Sequence, residues 1–120
     1  MKMPKAGAKA TAIFESLLPT DRRVQARKMF GQPAAFGNGH MFFGVFGDQV
    51  FLRLSGADQT EANGIAGVAP FEPMAGRPMR GYLVFPASVL SNRSMGPAWV
   101  EKALRHVLTL PPKKPAVRKG

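Results

Sequence analysis

Two histidines, His40 and His106, are the side chains best suited to move a proton or hold a metal near neutral pH. They stand 66 positions apart on different predicted elements. A metal site would need both to converge with a carboxylate, and their spacing does not bring that about. Ser55, His40 and Asp48 supply the residue types of a nucleophilic triad, but no nucleophile-elbow motif surrounds the serine. The 7 Asp and Glu are scattered, so no pair of carboxylates is set up for acid–base work. Gly37-Asn38-Gly39 lacks the third glycine of a dinucleotide loop and reads as turn chemistry. Cysteine is absent, which removes disulfides, cysteine–zinc sites, iron–sulfur clusters and a thiol nucleophile. The expectation is a protein that is not an enzyme, with no catalytic, metal or cofactor-binding residues.

Cations are the other group with chemistry to offer. The 120-residue chain carries 17 Lys and Arg and a formal net charge of +10. Lys2, Lys5, Lys9, Lys113, Lys114, Arg118 and Lys119 account for +7 of it, so residues 13–112 hold only +3. Such ends attract polyanions without regard to sequence. Within the body, Arg22, Arg23, Arg27 and Lys28 are offset only by Asp21, and Arg77 and Arg80 flank Pro78-Met79. If they meet, these six form a phosphate-facing patch.

The elements that must position these groups follow from periodicity. Ala10, Ile13, Phe14, Leu17 and Leu18 make one helical face over about 8–18, and Pro19 ends it. A strand is predicted over 24–30, with Val24, Ala26 and Lys28 on one side and Gln25, Arg27 and Met29 on the other. Asn38-Gly39 predicts a hairpin between strands at 33–37 and 40–46. Gly47-Asp48 turns into a further strand over 49–54. Strict alternation would put Met41, Phe43 and Val45 on one face and Phe42, Gly44 and Phe46 on the other. Ser55 or Asp58 can cap a short helix over 58–66. A Gly/Pro-rich loop spans 67–78, a strand 79–85 and one helical turn 87–90. Pro97 opens a last helix over 97–109, striped by Val100, Ala103, Leu104, Val107 and Leu108.

That order predicts an α+β fold of two layers: an antiparallel sheet of about 4–5 strands, with helices packed mainly on one face. The domain is expected at 10–112, between basic tails at 1–9 and 113–120. Nine Phe and seven Met read first as core filling and second as an adaptable apolar interface. Trp99 and Tyr82 read as half-buried anchors. The apolar stretch Ala10–Leu18 is broken by Thr11, Glu15 and Ser16, which makes a poor signal sequence. No run reaches the roughly 18–20 apolar residues of a membrane span. Asn92-Arg93-Ser94 has the form of a glycosylation sequon, read as chance without a secretory signal. The expected setting is cytoplasmic.

Three stretches then stand out by their order. They are Lys28-Met29-Phe30-Gly31 through Phe36-Gly37-Asn38-Gly39-His40-Met41-Phe42 to Val50-Phe51-Leu52-Arg53-Leu54, next Pro70-Phe71-Glu72-Pro73-Met74-Ala75-Gly76-Arg77-Pro78-Met79-Arg80-Gly81-Tyr82, and last Trp99-Val100-Glu101-Lys102-Ala103-Leu104 with Leu110-Pro111-Pro112-Lys113. Together, over about residues 10–114, they resemble the TfoX/Sxy N-terminal domain family. The resemblance implies a two-layer fold with an antiparallel sheet, like that of secretion chaperones. It also implies a link to competence-gene regulation, in which the full-length regulators act with the cyclic-AMP receptor protein. Those regulators carry a second, C-terminal helical domain. Here Met29-Phe30-Gly31 is followed by Gln32-Pro33, where the family often has another glycine. The resemblance brings no catalytic residues with it.

Three functions remain. The leading one is a non-enzymatic accessory or regulatory protein that contacts a protein partner, such as transcription machinery or a second copy of itself. Its contact surface would be an apolar sheet face at Phe42, Phe46 and Phe51. The second is weakly specific DNA binding through the tails and Arg22, Arg23, Arg27, Lys28, Arg77 and Arg80. The third is a small-molecule or enzymatic domain. An exposed apolar face, a continuous positive face, or a deep pocket holding a histidine and a carboxylate would favour them in turn.

Overall fold

In the computed structural model, residues 5–29, 31–74 and 76–112 are described. The elements run α1 (Ala8–Leu17), β1 (Val24–Met29), β2 (Gln32–Gly37), β3 (His40–Phe46), β4 (Gln49–Arg53), α2 (Gly56–Ala62), β5 (Ala69–Pro70), β6 (Tyr82–Phe85), α3 (Ala87–Leu90) and α4 (Met95–Thr109). The strands form one sheet in the order β1-β2-β3-β4-β6-β5, every pair antiparallel. The sheet has six strands rather than four or five, because Ala69–Pro70 of the expected loop pairs with Val84–Leu83 of β6. Of the N-terminal stretch expected as a tail, Ala8 and Lys9 belong to α1, and Gly7 N–H bonds Gly47 O at 2.8 Å. The tail at 113–120 lies outside the described residues. Among the described residues, no helix is long and apolar enough to cross a membrane.

Turn chemistry sets the hairpins. Asn38 (φ +56°) and Gly39 (φ +84°) join β2 to β3 with both central residues left-handed, as a type I′ turn requires. Asn38 Nδ2 donates to Leu110 O at 2.9 Å, tying this turn to the end of α4.

One face of the sheet carries α1, α3 and α4. Phe14 of α1 meets Phe43 with ring centroids 4.6 Å apart, and Phe85 meets Trp99 of α4 at 5.2 Å. Leu52, Leu54, Leu90, Val100, Ala103 and Val107 complete this buried core. The helical stripe on α4 therefore does what its spacing predicts. Gly96 lets α4 approach closely: a Cβ there would collide with the Leu90 carbonyl oxygen.

Three boundaries differ from expectation for identifiable reasons. Ser55 Oγ accepts from Asp58 N–H at 3.2 Å, so α2 starts at Gly56. β6 starts only at Tyr82, because Met79 N–H bonds Phe71 O and Tyr82 N–H bonds Met79 O, turning the chain at 79–81. Helix α4 starts at Met95, because Asn92 Oδ1 accepts from both Ser94 and Met95 N–H at 2.9 Å. The sequon asparagine is thus a helix cap.

The largest correction concerns Phe42. Ala35 pairs with Phe43, but Phe36 pairs with Met41, so Phe42 is the extra residue of a β-bulge. The bulge breaks the alternation. Phe42, Phe43 and Val45 all enter the helix-side core, while Met41 and Phe46 pack on the opposite, outer face.

Candidate functional site

A groove of about 650 Å3 runs between the end of α1, the 18–23 connection and α4. Leu17, Val100, Leu104 and Leu108 give it an apolar floor. Asp21 and Arg23 stand on one rim, Glu101 and Arg105 on the other. The rims neutralise themselves. Arg23 donates from Nε to Asp21 Oδ1 at 2.9 Å and from Nη2 to Oδ2 at 2.7 Å, and its backbone N–H bonds Oδ1 at 2.8 Å. These bonds, aided by the charge of Arg22, hold the Asp21 carboxyl down to about 2. Arg105 Nη2 reaches Glu101 Oε2 at 2.7 Å, one helical turn away. The groove thus offers apolar contact between two closed ion pairs. Sequence reasoning missed it, although Leu17 and Leu108, each near the end of its helical stripe, both line it.

The six candidate cations are split. Arg22 is exposed beside β1, and Arg23 is taken by Asp21. Arg27 pairs with Ala34 on the outer face, where its guanidinium lies 5.0 Å from the Phe36 ring centroid and donates to Gln25 Oε1 at 2.7 Å. Lys28, one position on, points to the helix side. Arg77 and Arg80 are exposed on the segment leading into β6. Strands β2, β3 and β4 separate β1 from β6, a span of roughly 19 Å at ordinary strand spacing. Arg22, Arg23, Arg27 and Lys28 thus stand at or beside the β1 edge, and Arg77 and Arg80 on a separate segment.

The apolar candidates are not a surface. Phe42 is 0% exposed in the helix-side core, for the bulge reason above. Phe51 is 3% exposed, because Phe71 stacks on it with centroids 4.3 Å apart. Phe46 is half-buried, edge-on to Phe71 at 5.5 Å. The outer face of β3, β4 and β6 is closed by Phe71, Met79 and Tyr82. Two signals foretell this: an aromatic inside a Gly/Pro-rich loop, and Gly44 within a strand. A Cβ on Gly44 would stand 2.6 Å from Phe51 Cζ.

The model of the TfoX N-terminal domain matches residues 16–107. The chain belongs to the TfoX N-terminal domain family. No curated protein and no solved structure gives a match. The matched span contains the whole sheet and most of the residues that line the groove, from Leu17 to Arg105.

The histidines of this TfoX domain do come to one end of the sheet. His40 Nε2 donates to Pro111 O at 2.8 Å. Burial lowers the pKa of His106 from its ordinary value, the charges of Arg53 and His40 lower it further, and Asp58 opposes them. Among the described residues, no group of three or more His, Asp or Glu could hold a metal. The triad types are dispersed. Ser55 caps α2, His40 opens β3, and Asp48 lies in the turn past its far end, roughly 20 Å along the strand. Tyr82 donates to Met41 O at 2.9 Å, and burial raises its pKa while Arg53 opposes this.

Proposed function

We propose that this TfoX-like chain is a non-enzymatic regulatory protein that works by protein contact. The groove between α1 and α4 receives the apolar side of an amphipathic helix from a partner in the transcription machinery. The apolar floor between self-neutralised rims carries this reading. Pro97, Val100, Leu104 and Leu108 line it along α4, a run of roughly 17 Å at 1.5 Å per residue. That length suits three turns of a helix anchored at i, i+3 or i+4, and i+7. The ionised Asp21 and paired Glu101 favour contact over proton transfer.

The resemblance to competence regulators makes the cyclic-AMP receptor protein the first partner to test. The experiment is biolayer interferometry with that purified receptor, using the unmodified chain, Glu101→Trp and Leu108→Lys. Glu101 is exposed, so a tryptophan there blocks the groove mouth without entering the core. Binding that both variants abolish supports the reading. Binding that neither variant changes removes the groove from it.

The net charge of +10 favours a second reading, attraction of duplex DNA to the cationic ends.

A further inference from the structure

The two edges of the sheet are treated differently. Edge strand β5 has only 2 residues, and Pro70 has no N–H to offer. Edge strand β1 has 6, each in unbroken register with β2 from Val24↔Gly37 to Met29↔Gln32. It has neither proline nor bulge within it, and the edge device it does carry is charge, Arg27 and Lys28, which discourages apolar or cationic strands but not acidic ones. Among the described residues, the only backbone hydrogen bond that β1 makes beyond β2 is from Val24 N–H to Asp21 O. Gln25, Ala26, Arg27 and Lys28 are all exposed.

Charge selects what can pair there. Asp21 is committed to Arg23, and neither β1 nor β2 contains an acidic residue. Arg27 on the outer face and Lys28 on the helix side therefore put one cation on each side of the edge. A strand laid beside β1 points successive residues to the same two sides. Two consecutive acidic residues would meet Arg27 and Lys28, one each. A second copy of β1 offers no acid to either cation, and in the register centred on Arg27 it would set Arg27 opposite Arg27. A nucleic acid has no amide backbone to continue the ladder.

We propose that the outer edge of β1 takes an extended, acidic polypeptide segment as a seventh strand. Main-chain hydrogen bonds give the affinity, and an Asp/Glu pair opposite Arg27 and Lys28 sets register and specificity. This surface is separate from the α1–α4 groove and does not depend on it.

The test is fluorescence anisotropy on the full chain. The probe is a labelled peptide of Val and Thr residues around a central Glu-Asp pair. Two further versions carry N-methyl groups on one or the other alternating set of backbone nitrogens. A fourth replaces Glu-Asp by Lys-Lys. The expected result is saturable binding of the acidic peptide. One N-methyl set weakens it about tenfold or more and the other leaves it unchanged, because only one edge of the peptide faces β1. Arg27→Glu with Lys28→Glu weakens it about tenfold and transfers preference to the Lys-Lys peptide. Glu101→Trp in the groove has no effect. Absence of binding, equal binding of both N-methyl versions, or indifference to the charge reversal would each overturn the proposal. The N-methyl comparison uses the unmodified protein, so it holds even if the double variant fails to fold.

Discussion

The ring of Phe71 lies on the ring of Phe51, with centroids 4.3 Å apart and planes 12° from parallel. Phe71 belongs to no long strand or helix. It is held by its own N–H to Tyr82 O and by Met79 N–H to its carbonyl. Phe71 thus joins Met79 and Tyr82 in closing the outer face of β3, β4 and β6. Phe71→Ala is expected to lower unfolding free energy by about 3–5 kcal/mol in urea titration, the usual cost of truncating a buried Phe. It should also raise binding of an apolar dye, since Phe51, Phe46 and Met41 lose their cover. A loss below about 1 kcal/mol would mean that the segment is not part of the core.

Gly96 and Gly56 make a matched pair. A Cβ at Gly96 meets the Leu90 carbonyl, whereas one at Gly56 meets nothing within 4 Å. Gly96→Ala is expected to destabilise by about 1–3 kcal/mol, since backbone must shift to admit it. Gly56→Ala should be neutral or stabilising by up to about 1 kcal/mol. Thermal melts of the two variants check the contrast.

The elements were legible wherever one periodicity ran unbroken. The stripes of α1 and α4 and the Asn38-Gly39 turn required no tertiary knowledge. Phe42 was not legible, because a bulge adds one residue opposite β2 and every side chain beyond it changes face. The cover over Phe51 was half-legible: Gly44 and Phe71 signal it, but only the fold shows that they meet. The placement of Arg27 and of Arg77 and Arg80 on separate elements of the sheet could not be read, since it depends on strand order. The groove was invisible for the same reason, as its walls come from residues about eighty positions apart.

His106 carries a pH dependence. Its folded pKa is lowered, first by burial and then by Arg53, so the unfolded chain binds a proton more readily. Its contribution to stability is therefore complete above the unfolded value of 6.5 and falls as pH drops from there towards the folded pKa. Urea midpoints measured between about pH 7 and pH 5 should decline accordingly, and Arg53→Gln should raise the His106 pKa in an NMR titration.

Asp21 behaves in the usual acidic sense. Its folded pKa of about 2 lies below the ordinary 3.8, so the support from Arg23 is present above 3.8 and is lost as pH falls through about 2. An NMR titration of the Asp21 carboxyl should show that low midpoint, and Arg23→Ala should return it towards the ordinary value. An unchanged midpoint in Arg23→Ala would break the assigned pairing at the groove rim.

The folded domain is proposed to contact protein rather than nucleic acid. The most direct measurement is duplex-DNA affinity against salt concentration for the full chain and for Arg27→Glu/Arg77→Glu/Arg80→Glu. The log–log slope counts phosphate contacts at about 0.9 per contact. The same slope is expected for both proteins, with Arg27 on β1 and Arg77 and Arg80 on the segment leading into β6 making no joint phosphate contact. A slope reduced by about 2–3 units in the triple variant would show all three on phosphates, and would contradict it.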